Sequence, residues 1–313
     1  MENPTSDEKI LAALSHAAVI FPMLGPVVPA GIWAFQRQKS KYVRFHAMQA
    51  MGYQTYGLWL WFVGMFLSIF LLMIAVIPLE IALSDNPDTL AMSPLIIQPV
   101  FFLIILGSWG LFFLGGAIGA VFCLLNREFR YPIIGNWLKQ KLFHDQVTDA
   151  EFEKWEENWI SGVCHATVIL RFWGIITPFM LWILEREHSV KIRFQALQAA
   201  LYQLLYVVAA IASTAIGVVF YVLFIIVMAI GLNGTSPAAK DEIPAWLGAV
   251  LIGVMVILIL YAIATFIIMP VYYLMALIGS FRVASGHEFY YPILGDIIAR
   301  RMKPMQVEVE PQP

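Results

Sequence analysis

The sequence predicts an all-α integral membrane protein, and three observations carry that prediction. Of its 313 residues, 60% are hydrophobic and 13% are charged, where a soluble chain carries about 25% charge. Mean hydropathy is +0.77. Apolar runs cover residues 10–35, 50–79, 95–126, 160–184, 197–232 and 246–281, and four of them (50–79, 95–126, 197–232 and 246–281) exceed the ~20 residues a spanning helix needs. A formal net charge of −2 excludes a basic nucleic-acid binder, and the apolar content excludes disorder. The two cysteines, Cys123 and Cys164, lie inside apolar runs and match no disulfide or metal-ligand spacing.

The first element is a helix begun by Thr5 and Glu8, which have capping-box spacing. The preceding residues lack the positive start of a secretory signal. The run that follows carries Pro22, Gly25, Pro26, Pro29 and Gly31. Proline removes a backbone donor and clashes with the preceding turn, so this run reads as a broken, re-entrant hairpin. Charge supports the reading. The segments 36–46, 127–142, 185–193 and 282–303 hold most of the 19 basic residues, whereas 80–94 and 233–245 hold Lys240 among five acids. The positive-inside rule places the first four segments in the cytoplasm. The run 160–184 then enters and leaves on one side, as a second hairpin. The expected architecture is two hairpins and four spanning helices in the inner membrane, with both termini cytoplasmic. The alternative is six full crossings.

The chain also reads as one unit written twice. LSHAAVI at 14–20 aligns with VCHATVI at 163–169, VRFHAMQA at 43–50 with IRFQALQA at 192–199, and EFRYPIIG at 128–135 with EFYYPILG at 288–295. Matching segments carry the same charge bias, which predicts parallel copies about an axis along the membrane normal. The expected boundaries are a first membrane repeat over 1–142, a polar connector over 143–159, a second repeat over 160–303 and a disordered tail over 304–313.

The candidate site residues follow from this alignment. His16 and His165 are matched histidines, readable either as ligands to a cofactor or as hydrogen-bonded bundle residues. No metal site is expected, because neither has a partner histidine or carboxylate one helical turn away. His46, Gln49 and Tyr53 line one helix face, as do Gln195, Gln198 and Tyr202. Such a polar stripe either lines a cavity or pins helices together. Arg44 with Glu128, and Arg193 with Glu288, are expected to form ion pairs within each unit. Tyr131-Pro132 and Tyr291-Pro292 read as fixed turns with an aromatic headgroup anchor, after helix stops at Asn126 and Ser285-Gly286. Arg171 is the one charge inside a hairpin; it aligns with Pro22 and reads as a contact to lipid or to an anion. The small residues of 110–120 favour close helix packing. No Walker A, HExxH, GxSxG or CxxC motif is present, which argues against an enzyme.

The motifs L-x-x-L-x-H (Leu11, Leu14, His16), P-x-x-x-W (Pro29, Trp33), R-F-H-A-x-Q-A (Arg44 to Ala50) and E-F-x-Y-P-I (Glu128 to Ile133) together resemble a bacterial and archaeal membrane family related to the Tic-twenty import component of the chloroplast inner envelope. The second copy matches at His165, Pro178, Trp182, Arg193, Phe194, Gln198, Glu288, Phe289, Tyr291 and Pro292, and departs at Gln195. The resemblance implies a role in protein translocation, or in membrane organisation as in relatives associated with magnetosome membranes. The leading expectation is a non-enzymatic accessory or scaffold subunit among other integral membrane proteins and membrane lipids. A translocation or channel element is the second reading, and a binder of lipid, quinone or pigment the third. No cofactor and no nucleic acid are expected.

Overall fold

A computed structural model describes residues 3–84, 87–143, 147–233 and 245–302, and among the described residues every regular element is helical. The first half comprises α1 (Ser6–Ala17), α2 (Val27–Gln36), α3 (Lys41–Gly52), a π-helical turn at Tyr53–Gly57, α4 (Leu58–Leu83), α5 (Pro87–Leu124) and α6 (Ile134–Leu142). The second half runs α7 (Asp149–Ala166), a 3-10 stretch at Thr167–Ile175, α8 (Ile176–Glu185), α9 (Val190–Asn233), α10 (Ala245–Ala284) and α11 (Leu294–Arg301). The tail 304–313 lies outside the described residues.

The protein is a multi-pass, all-α membrane protein. Among the described residues, five helical stretches are long and apolar enough to cross a membrane: Lys41–Ala82, Met92–Leu124, Asp149–Glu185, Val190–Ala229 and Gly248–Ala284. Their outer surfaces expose Phe66 and Phe70 on α4, Leu103 and Leu111 on α5, Val208 and Ile211 on α9, and Leu260 and Ile267 on α10. Surfaces this apolar are solvated by lipid tails.

The third stretch is not one straight helix. It breaks at Arg171, whose backbone adopts φ 55°, ψ −121°. The first half breaks at the aligned place, between α1 and α2. At 1.5 Å per residue, α1 is about 18 Å long and α2 and α8 about 15 Å, well short of a ~30 Å hydrocarbon core. Glycine closes each turn because nothing larger fits. A Cβ on Gly174 would stand 2.3 Å from the Thr167 carbonyl oxygen, and one on the aligned Gly25 would stand 2.8 Å from Gln54 Oε1.

Local chemistry starts and stops these helices at matched places. Thr5 and Glu8 form the expected capping box on α1, and Thr148 and Glu151 form another on α7. Ser40 caps α3 by accepting from Val43 N, and Ser189 accepts from Ile192 N at the start of α9. Asn126 (φ 55°) and Gly286 (φ 86°) take the left-handed conformation just after α5 and α10. Behind them, Arg127 N and His287 N donate to the carbonyls of Phe122 and Arg282, which ends each helix in a Schellman-type stop.

A hydrophobic core joins the halves. Trp33, Phe45, Met48 and Met51 pack with Trp159, Ile160, Val163, Leu181 and Ile192. Helix α2 lies against α8, and α7 lies against α3 and α6. The stretch read as a polar connector, 143–159, is from Asp149 onward the start of α7, and it buries Glu156, Asn158 and Trp159. One of its charges, Glu156, serves the joint. Glu156 Oε1 accepts from Arg44 Nε at 2.5 Å and from Trp33 Nε1 at 2.7 Å, while Oε2 takes Arg44 Nη2. Arg37 and Glu185 form a second ion pair across the halves at 2.6 Å.

These contacts correct the expected ion pairs. Arg44 reaches into the second half, and Glu128 instead meets Lys139 at 2.7 Å and Arg130 at 3.2 Å. Glu156 is buried and offers a bidentate partner, whereas Glu128 is more than half exposed and gains little from any pairing. Among the described residues no ion pair joins Arg193 to Glu288, which accepts from the Tyr290 hydroxyl.

Candidate polar site under the hairpins

Each half contains a buried polar cluster where the end of its first helix meets the loop after its last long helix. In the second half, Gln198 clamps that loop. Its Oε1 accepts from Tyr291 N at 2.8 Å and its Nε2 donates to the Phe289 carbonyl at 3.1 Å. Tyr202 stacks on the Tyr291 ring at 3.7 Å and donates its hydroxyl to the Tyr272 carbonyl. The Tyr291 hydroxyl lies 3.0 Å from His165 Nδ1, and Gln195 Oε1 lies 2.9 Å from His165 Nε2. Gln195 Nε2 donates to the Phe289 carbonyl, so Oε1 is the atom turned to the ring. An amide oxygen is an acceptor, hence His165 carries its proton on Nε2 and accepts from Tyr291 on Nδ1.

The first half repeats the clamp atom for atom. Gln49 Oε1 accepts from Tyr131 N at 3.3 Å, and its Nε2 donates to the Phe129 carbonyl at 3.1 Å. Tyr53 stacks on Tyr131 at 3.9 Å and donates to the Phe112 carbonyl. The Tyr131 hydroxyl lies 3.0 Å from His16 Nδ1. Burial pushes both loop phenols, Tyr131 and Tyr291, well above their ordinary pKa, so each stays protonated. Helix α5 closes on this cluster through glycine. A Cβ on Gly119 would stand 2.9 Å from His16 Nδ1, and one on Gly115 would stand 2.5 Å from the Tyr53 hydroxyl.

The clusters differ around His46. Where the second half has Gln195, His46 Nδ1 lies 3.0 Å from His16 Nε2, 3.0 Å from Gln49 Nε2 and 3.4 Å from Cys123 Sγ. Two histidines and a cysteine from three separate helices therefore converge, all buried, with their ligand atoms within 4.8 Å of one another. The second half places Val283 at the position aligned with Cys123.

The structure thus gathers His16, His46, Gln49 and Tyr53 in one network, and His165, Gln195, Gln198 and Tyr202 in the other. Tyr131 and Tyr291 are buried members of these networks, which corrects their reading as headgroup anchors: their hydroxyls are taken by imidazole nitrogens. Cys123 is the residue that sequence reasoning missed. It is 77 positions from His46, so no local spacing marks it; its alignment with a valine was the available signal. Arg171 is exposed and lies beside the Tyr206 and Tyr273 hydroxyls.

Residues 7–138, less than half of the chain, match a family model described as the magnetosome magnetite crystal formation protein family. No curated protein and no solved structure matches. The match overturns the resemblance to the Tic-twenty-like family. The motifs behind that resemblance encode the histidine–tyrosine–glutamine clamp and the breaks after α1 and α7, features that hold a bundle together.

Proposed function

We propose that the chain is a non-enzymatic scaffold subunit of a membrane that encloses growing magnetite crystals. The observation that carries this reading is the family match over residues 7–138, which spans the entire His16 cluster and the first hairpin. Two structural facts support a scaffold over a catalyst or channel. The clusters fasten backbone to backbone through Gln49, Gln198, Tyr131 and Tyr291, and the interior between the halves is packed with large apolar and aromatic side chains. The long faces of α4, α5, α9 and α10 remain exposed and offer area to lipid and to neighbouring membrane proteins.

In this reading the chain is a fused pair of membrane repeats, 1–142 and 160–303. The short arms of the hairpins enter and leave on one side, both termini are cytoplasmic, and the membrane is the cell's inner membrane or one derived from it. Deleting the gene in its own host and imaging the cells by electron microscopy tests the proposal. Smaller or misshapen crystals inside intact vesicles are expected, with the tagged protein co-purifying with other vesicle membrane proteins. Unchanged crystals in the deletion strain would refute the reading.

A further inference from the structure

The two clusters differ both in the number of donors they gather and in the acceptor that receives them. In the second half two donors, His165 Nε2–H and Gln198 Nε2–H, converge on Gln195 Oε1, at 2.9 and 3.0 Å. A carbonyl oxygen has two lone pairs, so that arrangement is closed. In the first half the same two donors, now His16 Nε2 and Gln49 Nε2, converge with the Cys123 thiol on His46 Nδ1. An imidazole nitrogen has one lone pair. Three donors cannot share it in a buried site, where an unmatched polar hydrogen costs about 1–3 kcal/mol. With the His16 proton on Nδ1, beside the Tyr131 hydroxyl, with Cys123 as its thiolate and with Gln49 held by the Phe129 carbonyl alone, His16 Nε2, His46 Nδ1 and Cys123 Sγ turn lone pairs to one point.

Three lone pairs aimed at one point describe a cation site. We propose that His16 Nε2, His46 Nδ1 and Cys123 Sγ bind one thiophilic transition-metal ion. The donor set is two imidazoles and one thiolate, which selects zinc(II) or copper(I) over calcium or magnesium. The 3.0 Å and 3.4 Å separations are close to the edge lengths of a coordination polyhedron with metal–nitrogen bonds of about 2.0 Å and metal–sulfur bonds of about 2.3 Å. On binding, the Cys123 thiol gives its proton to solvent and both imidazoles remain neutral. Tyr131 then holds His16 by its Nδ1–H, the outer contact that fixes the ring in metal sites, and Gln49 keeps its bond to the Phe129 carbonyl. The Tyr42 hydroxyl lies beside Cys123. The site goes beyond the scaffold reading and stands or falls independently of it.

The test uses the full-length chain in detergent, stripped with a chelator and titrated separately with cobalt(II), as a spectroscopic substitute for zinc, and with copper(I) under reductant. One equivalent of at least one of these ions is expected. For cobalt it should carry thiolate-to-metal charge-transfer absorption, and for copper it should protect Cys123 from alkylation in the unfolded-and-quenched protein. Cys123→Val and His46→Gln import the residues that the second half carries at the aligned positions, so they are compatible with the fold. Each should weaken binding at least about tenfold and abolish the thiolate signal, while Cys164→Val leaves both unchanged. Failure of both ions to bind the parent chain would overturn the proposal, as would binding that survives Cys123→Val.

Discussion

The first half presents to its partner a face that the second half, at aligned positions, presents to lipid. On the first half, Tyr56 and Trp59 point across the joint: the Tyr56 hydroxyl bonds Ser280 Oγ at 2.7 Å and Trp59 Nε1 donates to the Ala166 carbonyl at 2.9 Å. The aligned residues of α9 are Leu205 and Val208, both exposed. The converse holds on the first helix of each half. Trp159 and Val163 of α7 are buried, and the aligned Ile10 and Leu14 of α1 are about half exposed. The backbone follows suit, with a π-helical turn at Tyr53–Gly57 and uninterrupted α-helix through α9. At the middle of the joint aligned positions do meet, Gly31 of α2 standing opposite Met180 of α8. The halves therefore share a centre and differ at the flanks: one flank is sealed with aromatic and charged contacts, and the other is aliphatic. Similar folds with the same internal clamps can thus have opposite surroundings, decided by a few side chains on two helices.

The strongest way to break this comparison is to remove the charge at the sealed flank. Glu156→Ala strands Arg44 in a site it shares with Phe152, and breaking a buried pair costs about 3–5 kcal/mol. The thermal midpoint in detergent should fall sharply, whereas Asp7→Ala, the aligned and exposed position on α1, should leave it where it was. Equal effects from the two would show the flanks to be alike. A second variant pair sharpens the contrast. Trp59→Val copies the residue at 208 and should cost about 2 kcal/mol in lost burial and a lost hydrogen bond; Val208→Trp should stay within about 0.5 kcal/mol. Equilibrium unfolding of both variants in mixed micelles measures the difference.

The smallest effect concerns pH. The hydrogen bond from Lys139 holds the Glu128 carboxyl below its usual range. A depressed folded pKa means stability that is present above the unfolded value of about 4.3 and lost as pH falls through the folded one. In the second half the position aligned with Lys139 is Ala299. Lys139→Ala should therefore remove a shallow acid-side slope from the thermal midpoint and leave the neutral-pH value almost unchanged, because Glu128 is largely solvated. A slope that persists in that variant would assign it to another group.

Much of this fold was legible because its signals are local. The prolines of 22–29, the Thr5–Glu8 pair and the stops at Asn126 and Gly286 act within a few residues of themselves, and the structure places a break, a cap or a helix end at each. The polar stripe was legible for the same reason, since helical periodicity puts His46, Gln49 and Tyr53 on one face. What could not be read was partnership at long range. Arg44 has Glu156 as its partner, 112 positions away, inside a stretch whose polarity suggested exposure. Polarity per residue does not distinguish a solvated charge from one that a tertiary contact neutralises. The His16–His46–Cys123 convergence was hidden similarly, because ligands carried on three helices obey no spacing rule.

Carrying both halves on one chain has a consequence for which substitutions the molecule accepts. In a pair of identical chains every substitution lands twice, so a residue that suits one environment must be tolerated in the other. Here each codon is answerable to one place alone. That freedom is visible where His46 and Cys123 stand against Gln195 and Val283, and where Trp59 stands against Val208. One lineage of side chains could specialise while its twin kept the bundle intact. Cutting the gene back to a single unit would discard the specialised copy or the plain one, and no symmetric pair of the remainder could restore both.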